Sequence, residues 1–284
     1  MAMVKNVGCF FTGGYTESNS MLIFLKRIND NIRFKQFCPN RTRKRKGDCP
    51  ERDLVDENSG LTDKALLRYV YEYLTENRKE FSNIDAIIIE DDLDGRFNEE
   101  ATSGDITTKV SKRTEAFGVH CKEVRENVRK ILEKDENFPV IQFYAAPEIE
   151  TWFLSDWTNS FGEIYGPKGF SVLNTHENDF FSSRFQPHIR KKVLFEYNEC
   201  IENYGYFEGK YSKLSDKIIE SFSSFKALMG AETGRMSKAI SGNRELCYSK
   251  RTHGDEMLRR ILPANVVQKC PVYFQESYDQ LKKL

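Results

Sequence analysis

The residues best suited to chemistry in this 284-residue chain are carboxylates. The stretch Ile87-Ile88-Ile89-Glu90-Asp91-Asp92-Leu93-Asp94-Gly95 puts four acids into five positions directly behind an aliphatic run. Carboxylates this close repel one another, and each needs water or a cation. The run itself reads as a strand covered on both faces, and open α/β sheets build their sites at the carboxyl ends of such strands. A period of two puts Asp92 and Asp94 on one side and turns Leu93 to the core. Two hard oxygen donors so placed can hold Mg²⁺ (or Mn²⁺). A solvated acidic turn is the ordinary alternative and Gly95 suits it, but a plain turn does not need so many like charges.

Three further groups could join this pair. Glu17 follows the turn Thr12-Gly13-Gly14-Tyr15-Thr16, so it too would lie on the carboxyl edge if its strand neighbours the acidic one; alone, it would be an ordinary first-turn helix acid. Glu148, in Pro147-Glu148-Ile149-Glu150-Thr151-Trp152, again stands just after a strand end, as a metal ligand or a helix N-terminal acid. Trp152 reads as packing. In Tyr248-Ser249-Lys250-Arg251-Thr252-His253-Gly254-Asp255, Thr252 and Asp255 have capping-box spacing. Lys250 and Arg251 beside them could hold a phosphate or a developing negative charge, whereas His253 reads as a surface histidine. The block Arg41-Thr42-Arg43-Lys44-Arg45-Lys46 has five cations, Arg41, Arg43, Lys44, Arg45 and Lys46, and no apolar residue. It is a surface loop and a candidate contact for a phosphate backbone.

The elements that would position these residues alternate. Val4 to Phe11 reads as a strand, followed by a glycine turn and a helix over Ser20 to Ile28. Arg33 to Cys38 is a second strand. Apolar positions 66, 67, 70, 71 and 74 mark a helix from Thr62 to about Lys79. Ile84 to Glu90 is the third strand. The stripe 117, 121, 124, 128 and 131 marks a long helix, and Val140 to Tyr144 is a strand leading to Pro147, a residue suited to a first helical turn. Residues 1–156 are therefore predicted to form an α/β domain with a parallel sheet flanked by helices. Residues 157–284 are predicted to be an insertion followed by a C-terminal helical appendage, with helices near 187–203, 212–228, 254–262 and 271–283, completing or capping the site.

Composition excludes several classes. Forty-three basic residues balance forty-three acidic ones, so no global field attracts a polyanion and any such partner must meet a local patch. Aromatics at 13% and a mean hydropathy of −0.60 suit a soluble, ordered protein. No apolar run is long enough for a bilayer, and the first residues lack a signal-peptide pattern. Seven scattered cysteines without a Cys-x-x-Cys pair fit free thiols in a cytoplasmic protein better than disulfides or zinc. There is no Walker A motif and no Gly-x-Ser-x-Gly elbow.

Taken in order, the glycine turn with Glu17, Asp92-Leu93-Asp94-Gly95, Pro147 to Asp156 and Tyr248 to Gly254 resemble the motifs of Toprim-like proteins of the RloB type, relatives of the OLD-family nucleases of bacterial defence. The similarity covers about residues 4–156 and a short piece near 248–262. It implies a Toprim-like sheet and Mg²⁺-dependent cleavage of nucleic acid (tRNA or DNA) by an anti-phage effector working with an ABC/SMC-like ATPase. On this reading Glu17, Asp92, Asp94 and Lys250 are catalytic, Glu17, Asp92, Asp94 and Glu148 hold the metal, and Arg251 and the basic loop contact nucleic acid. A homodimer is left open. One departure stands out: Gly13 occupies the place of the family's first glutamate. The competing expectation is a catalytically inactive binding subunit of a defence complex.

Overall fold

The computed structural model describes residues 4–12, 14–39, 60–97, 105–166, 181–194, 201–203, 213–232, 238, 241–242 and 246–284. Gly13 and the basic block 41–46 lie outside the described residues.

Four strands form one sheet: β1 (Lys5–Phe11), β2 (Ile32–Cys38), β3 (Ala86–Asp92) and β4 (Val140–Ala145). All pairings are parallel and the spatial order is β2-β1-β3-β4. The chain runs from β1 outward to β2 and then returns to lay β3 on the other side of β1. The gap above β1 and β3 is therefore the point where the strand order reverses, the usual place for a ligand in an open α/β sheet. The register levels the strand ends there: Phe11 pairs with Glu90, and Asp92 with Ala145.

Side-chain alternation divides the sheet into two apolar faces. On one, Val7, Cys9 and Phe11 of β1, Ala86 and Ile88 of β3 and Ile141, Phe143 and Ala145 of β4 share a core with α1 (Tyr15–Lys26) and the C-terminal helices. On the other, Phe10, Ile87, Ile89 and Val140 pack on α2 (Asp63–Glu76) and α3 (Ile106–Leu132). Leu66, Val70 and Leu74 face that core from α2, and Val124, Val128 and Leu132 from α3, as the periodicity predicts. β3 is buried along its whole length, which explains its unbroken aliphatic run.

Among the described residues the C-terminal half carries helices, as expected: α4 (Glu150–Ser155), α5 (Phe161–Tyr165), α6 (Gln186–Leu194), α7 (Leu214–Gly230), α8 (Lys250–Arg260), α9 (Pro263–Lys269) and α10 (Gln275–Lys283). Its apolar residues, among them Phe161, Phe222, Met257 and Phe274, are continuous with the first face of the sheet. Trp152 is 1% exposed and stacks on Phe24 at 5.3 Å, which makes it the packing residue that the sequence suggests. Among the described residues no helix is long and apolar enough to cross a membrane.

Four local expectations are corrected. β3 continues to Asp92 rather than ending at Glu90, so three of the four clustered acids are strand residues and buried. The chain then turns, with Asp94 at φ 45°, so strand alternation does not reach Asp94 and cannot put it level with Asp92. Pro147 precedes α4 instead of opening it; its carbonyl accepts the Asp94 N–H at 2.7 Å, tying the two strand ends together. Finally, α8 is capped by Ser249, whose hydroxyl accepts the Thr252 N–H at 3.3 Å. Thr252 is therefore inside the helix, and Asp255 instead receives the Ser20 hydroxyl and pairs with Arg259.

Candidate functional site

The carboxyl ends of β1, β3 and β4 and the first turn of α8 meet around one ammonium group. Lys250 Nζ lies 3.1 Å from Asp92 Oδ2, 3.8 Å from Glu17 Oε1 and 3.8 Å from Glu150 Oε2. Each partner comes from a different element. Glu17 stands in the first turn of α1, Asp92 ends β3 and Glu150 starts α4 after β4. Glu17 folds back over Gly14: a Cβ on Gly14 would lie 2.1 Å from Glu17 Oε2, so any side chain there would displace the carboxylate.

Helix α8 is pressed against α1 to bring Lys250 in. A Cβ on Gly254 would stand 2.3 Å from Thr16 Oγ1, so only glycine permits this approach. The Thr16 hydroxyl in turn donates to the Lys250 carbonyl at 3.3 Å. The Tyr248 hydroxyl donates to Glu150 Oε1 at 2.7 Å. Burial, reinforced by Glu150, holds the Tyr248 phenol well above its usual pKa, so it remains a donor.

Around this centre lie two further acids. Glu90, on the same face of β3 as Asp92, accepts both the N–H and the hydroxyl of Thr12 at 3.2 Å. Glu148 accepts the Ser215 N–H at 2.9 Å, so α7 fixes it from its own N-terminus. Burial pushes Glu17 up to about 7, against the pull of Lys250 and with a push from Asp92. Burial and Glu150 likewise raise Glu148 to about 7. Asp92 is raised by burial despite Lys250, and Glu90 is raised well above the carboxylate range by burial and by Glu17. Burial opposes the Lys250 charge, but Asp92, Glu150 and Glu17 outweigh it and hold the ammonium protonated well above the ordinary lysine range.

Among the described residues the cluster opens to solvent at Lys250. The Lys250 side chain is 33% exposed, whereas Glu17 is 1%, Glu150 0% and Asp92 10% exposed. Arg251, next in sequence, is exposed beside that opening. Among the described residues, both oxygens of Glu17, Oδ1 of Asp92 and Oε2 of Glu150 are buried without a hydrogen-bond partner. Buried carboxylate oxygens seldom go unserved, and hard oxygens are what Mg²⁺ takes, so the donor chemistry fits a divalent cation. Among the described residues no three His, Cys, Asp or Glu side chains form a ready-made metal cage.

Of the residues singled out in the sequence, the structure brings Glu17, Asp92 and Lys250 into contact and puts Glu148 within their electrostatic reach. Asp94 stands half-buried in the turn beyond β3. His253 is not a surface residue: it is half-buried, its Nδ1 accepting the Ser249 N–H at 3.1 Å with the Tyr165 hydroxyl 2.9 Å away. Glu150, Tyr248 and Glu90 were not among the sequence candidates for the site. For Glu90 the available signal was the spacing Glu90-x-Asp92, which returns a strand side chain to the same face; Glu150 begins a helix beyond β4, and no local pattern marks it or Tyr248. Compared with protein-family models, with curated proteins and with solved structures, the chain matches none.

Proposed function

We propose that this chain is a metal-dependent phosphodiesterase acting on nucleic acid, a Toprim-like nuclease. The observation that carries the reading is the set of buried carboxylate oxygens of Glu17, Asp92 and Glu150, without hydrogen-bond partners among the described residues, where the strand order reverses and beside a partly exposed lysine. Glu17, Asp92 and Glu150 would hold Mg²⁺ or Mn²⁺, with Glu148 beside them. Bound there, the ion would supply a Lewis acid for a phosphate oxygen and a lowered pKa for the attacking water. The chain's own groups complete the site. Glu17, with its carboxyl near 7, can take up and release a proton at neutral pH. Lys250, permanently charged at the opening, meets the negative charge of a phosphodiester, and the exposed Arg251 extends that contact. Tyr248 keeps Glu150 turned inward.

The anti-phage role and an ABC/SMC-like ATPase partner belong to the same proposal and rest on the order of the four sequence motifs. The test is cleavage of tRNA, single-stranded DNA and duplex DNA with Mg²⁺ or Mn²⁺ by the wild type, Asp92→Ala and Asp94→Ala. The expected result is cleavage by the wild type and its loss in Asp92→Ala; equal cleavage by Asp92→Ala refutes this site. A second reading, an inactive binding subunit, is favoured by one observation: Lys250 already neutralises some of the cluster's charge from within 3.8 Å of three carboxylates. Silence on every substrate, with no rise in melting temperature on adding millimolar Mg²⁺, would select it.

A further inference from the structure

β3 ends with acids on both of its faces. Glu90 and Asp92 face the side of α1 and α8, whereas Asp91 faces the side of α2 and α3, because successive strand side chains alternate. On that second side stands Arg96, in the turn that follows the strand. Its Nη2 donates to Asp91 Oδ2 at 2.6 Å and also to the main-chain carbonyl of Asp92. Its Nε donates to the Leu93 carbonyl at 3.2 Å and its Nη1 to Asp63 Oδ1 at 3.2 Å. Asp91 Oδ2 also accepts the N–H of Asp63, the first residue of α2, at 3.0 Å. The guanidinium lies 5.4 Å from the ring centre of Tyr144 on β4, and the side chain is only 12% exposed. One planar group thus joins the end of β3, the turn after it, the start of α2 and β4.

The backbone around Arg96 is one that the local residues do not favour. Asp63 (φ 52°), Asp94 (φ 45°) and Phe97 (φ 65°) all lie in the left-handed region, which is least natural for the phenylalanine. Such conformations persist only where surrounding contacts over-determine them, and the Arg96 fork supplies such contacts. A bridge serving stability alone would need only the Asp91 carboxylate. Arg96 additionally grips the Asp92 peptide, whose side chain emerges on the opposite face toward Lys250 at 3.1 Å.

We propose that Arg96 is a positioning residue of the acidic site: working from the far face of β3, it fixes the Asp92 peptide and thereby the direction in which the Asp92 carboxylate meets Lys250. Its consequence for catalysis rests on the phosphodiesterase reading; the positioning itself does not. Lysine cannot replace it, because a point charge has no fork to serve a carboxylate and two carbonyls together.

The test is a cycle of urea unfolding measured on the whole chain for wild type, Arg96→Ala, Lys250→Met and the double variant. Among the described residues Arg96 and Lys250 share no side-chain partner, so for a merely structural arginine their effects on the unfolding constant multiply. Positioning requires that Lys250→Met costs less once Arg96 is gone, by about threefold or more in the unfolding constant. A smaller difference overturns the proposal. Should either truncation fail to fold, the milder pair Arg96→Lys and Lys250→Gln is read by the same criterion. Cleavage assays separate the two ideas. A wild type that cuts nothing counts against the nuclease and leaves the cycle decisive. With a wild type that cuts, Arg96→Lys is expected to lower kcat by about tenfold at unchanged KM, and a change confined to KM counts against positioning.

Discussion

Replacing Gly254 by alanine should push apart α1 and α8, the helices whose contact the site needs. The new Cβ would stand 2.3 Å from Thr16 Oγ1, and 3.2 and 3.3 Å from Thr16 Cγ2 and Cβ. Ordinary contact begins near 3.4 Å, so α8 must retreat by about 1 Å or the Thr16 side chain must turn. Thr16 is buried and bonded to the Lys250 carbonyl, so turning it gives up that bond. Retreat carries Lys250, one helical turn before Gly254, away from Glu17, which it now meets at 3.8 Å. Overpacking of this kind costs about 1–3 kcal/mol. The gain of about 1 kcal/mol from removing a mid-helix glycine offsets some of it. The expected net loss is therefore about 0–2 kcal/mol. Thr16→Ala removes Oγ1 and Cγ2 and leaves one contact at 3.3 Å, which a shift of about 0.1 Å relieves. In that background Gly254→Ala should stabilise the protein by about 1 kcal/mol. Urea unfolding followed by fluorescence of the buried Trp152 and Trp157 measures all four proteins. The reasoning is refuted if Gly254→Ala has the same effect with and without the Thr16 side chain.

Two other outcomes follow from the same geometry. Gly14→Ala meets only the far end of the Glu17 side chain, and its own backbone (φ −64°) accepts alanine, so stability should stay within about 0.5 kcal/mol of wild type while cleavage falls with the displaced carboxylate; unchanged cleavage would remove Glu17 from the site. Glu17, Asp91 and Glu148 are each raised to about 7 from ordinary values of 4.5, 3.8 and 4.5, so the native chain keeps protons that the unfolded chain has lost. Their contribution is present below about pH 4 and declines as pH rises through about 7. Urea midpoints from about pH 4 to 8 should therefore fall more steeply for the wild type than for Glu17→Gln, and a flatter wild-type profile would reverse the sign of the argument.

How legible the site was depends on whether local or distant chemistry set each feature. The alternation of strands and helices was readable because β3 and α2 carry their periods in the residues themselves. The glycine turn before Glu17 and the acids behind Ile87-Ile88-Ile89 marked the carboxyl edge for the same local reason. The sequence ends β3 at Glu90 because Asp91 and Asp92 look like turn residues; they remain in the strand because partners outside it serve them, Arg96 from the following turn and Lys250 from 158 residues away. Asp94 was placed by an alternation that stops when the chain turns. Glu150 was passed over because its partner Tyr248 stands 98 residues away, and no local pattern announces that bond. Ser249 outcompetes the Thr252 capping box simply by standing three residues earlier, where its hydroxyl reaches the Thr252 N–H.

The Asp92–Lys250 pair spans 158 residues. In order of synthesis, every strand of the sheet and all five acids at its edge leave the ribosome long before the ammonium that balances them. Until α8 arrives, the nascent sheet carries an uncompensated knot of negative charge, and charge repulsion opposes closing that edge. Domains that fold during translation do so from the N-terminus, and contacts of long sequence separation form late and slowly. Here that order puts completion of the acidic site after the sheet has been synthesised, so a chain cut short before Lys250 would carry the acids without the group that gathers them.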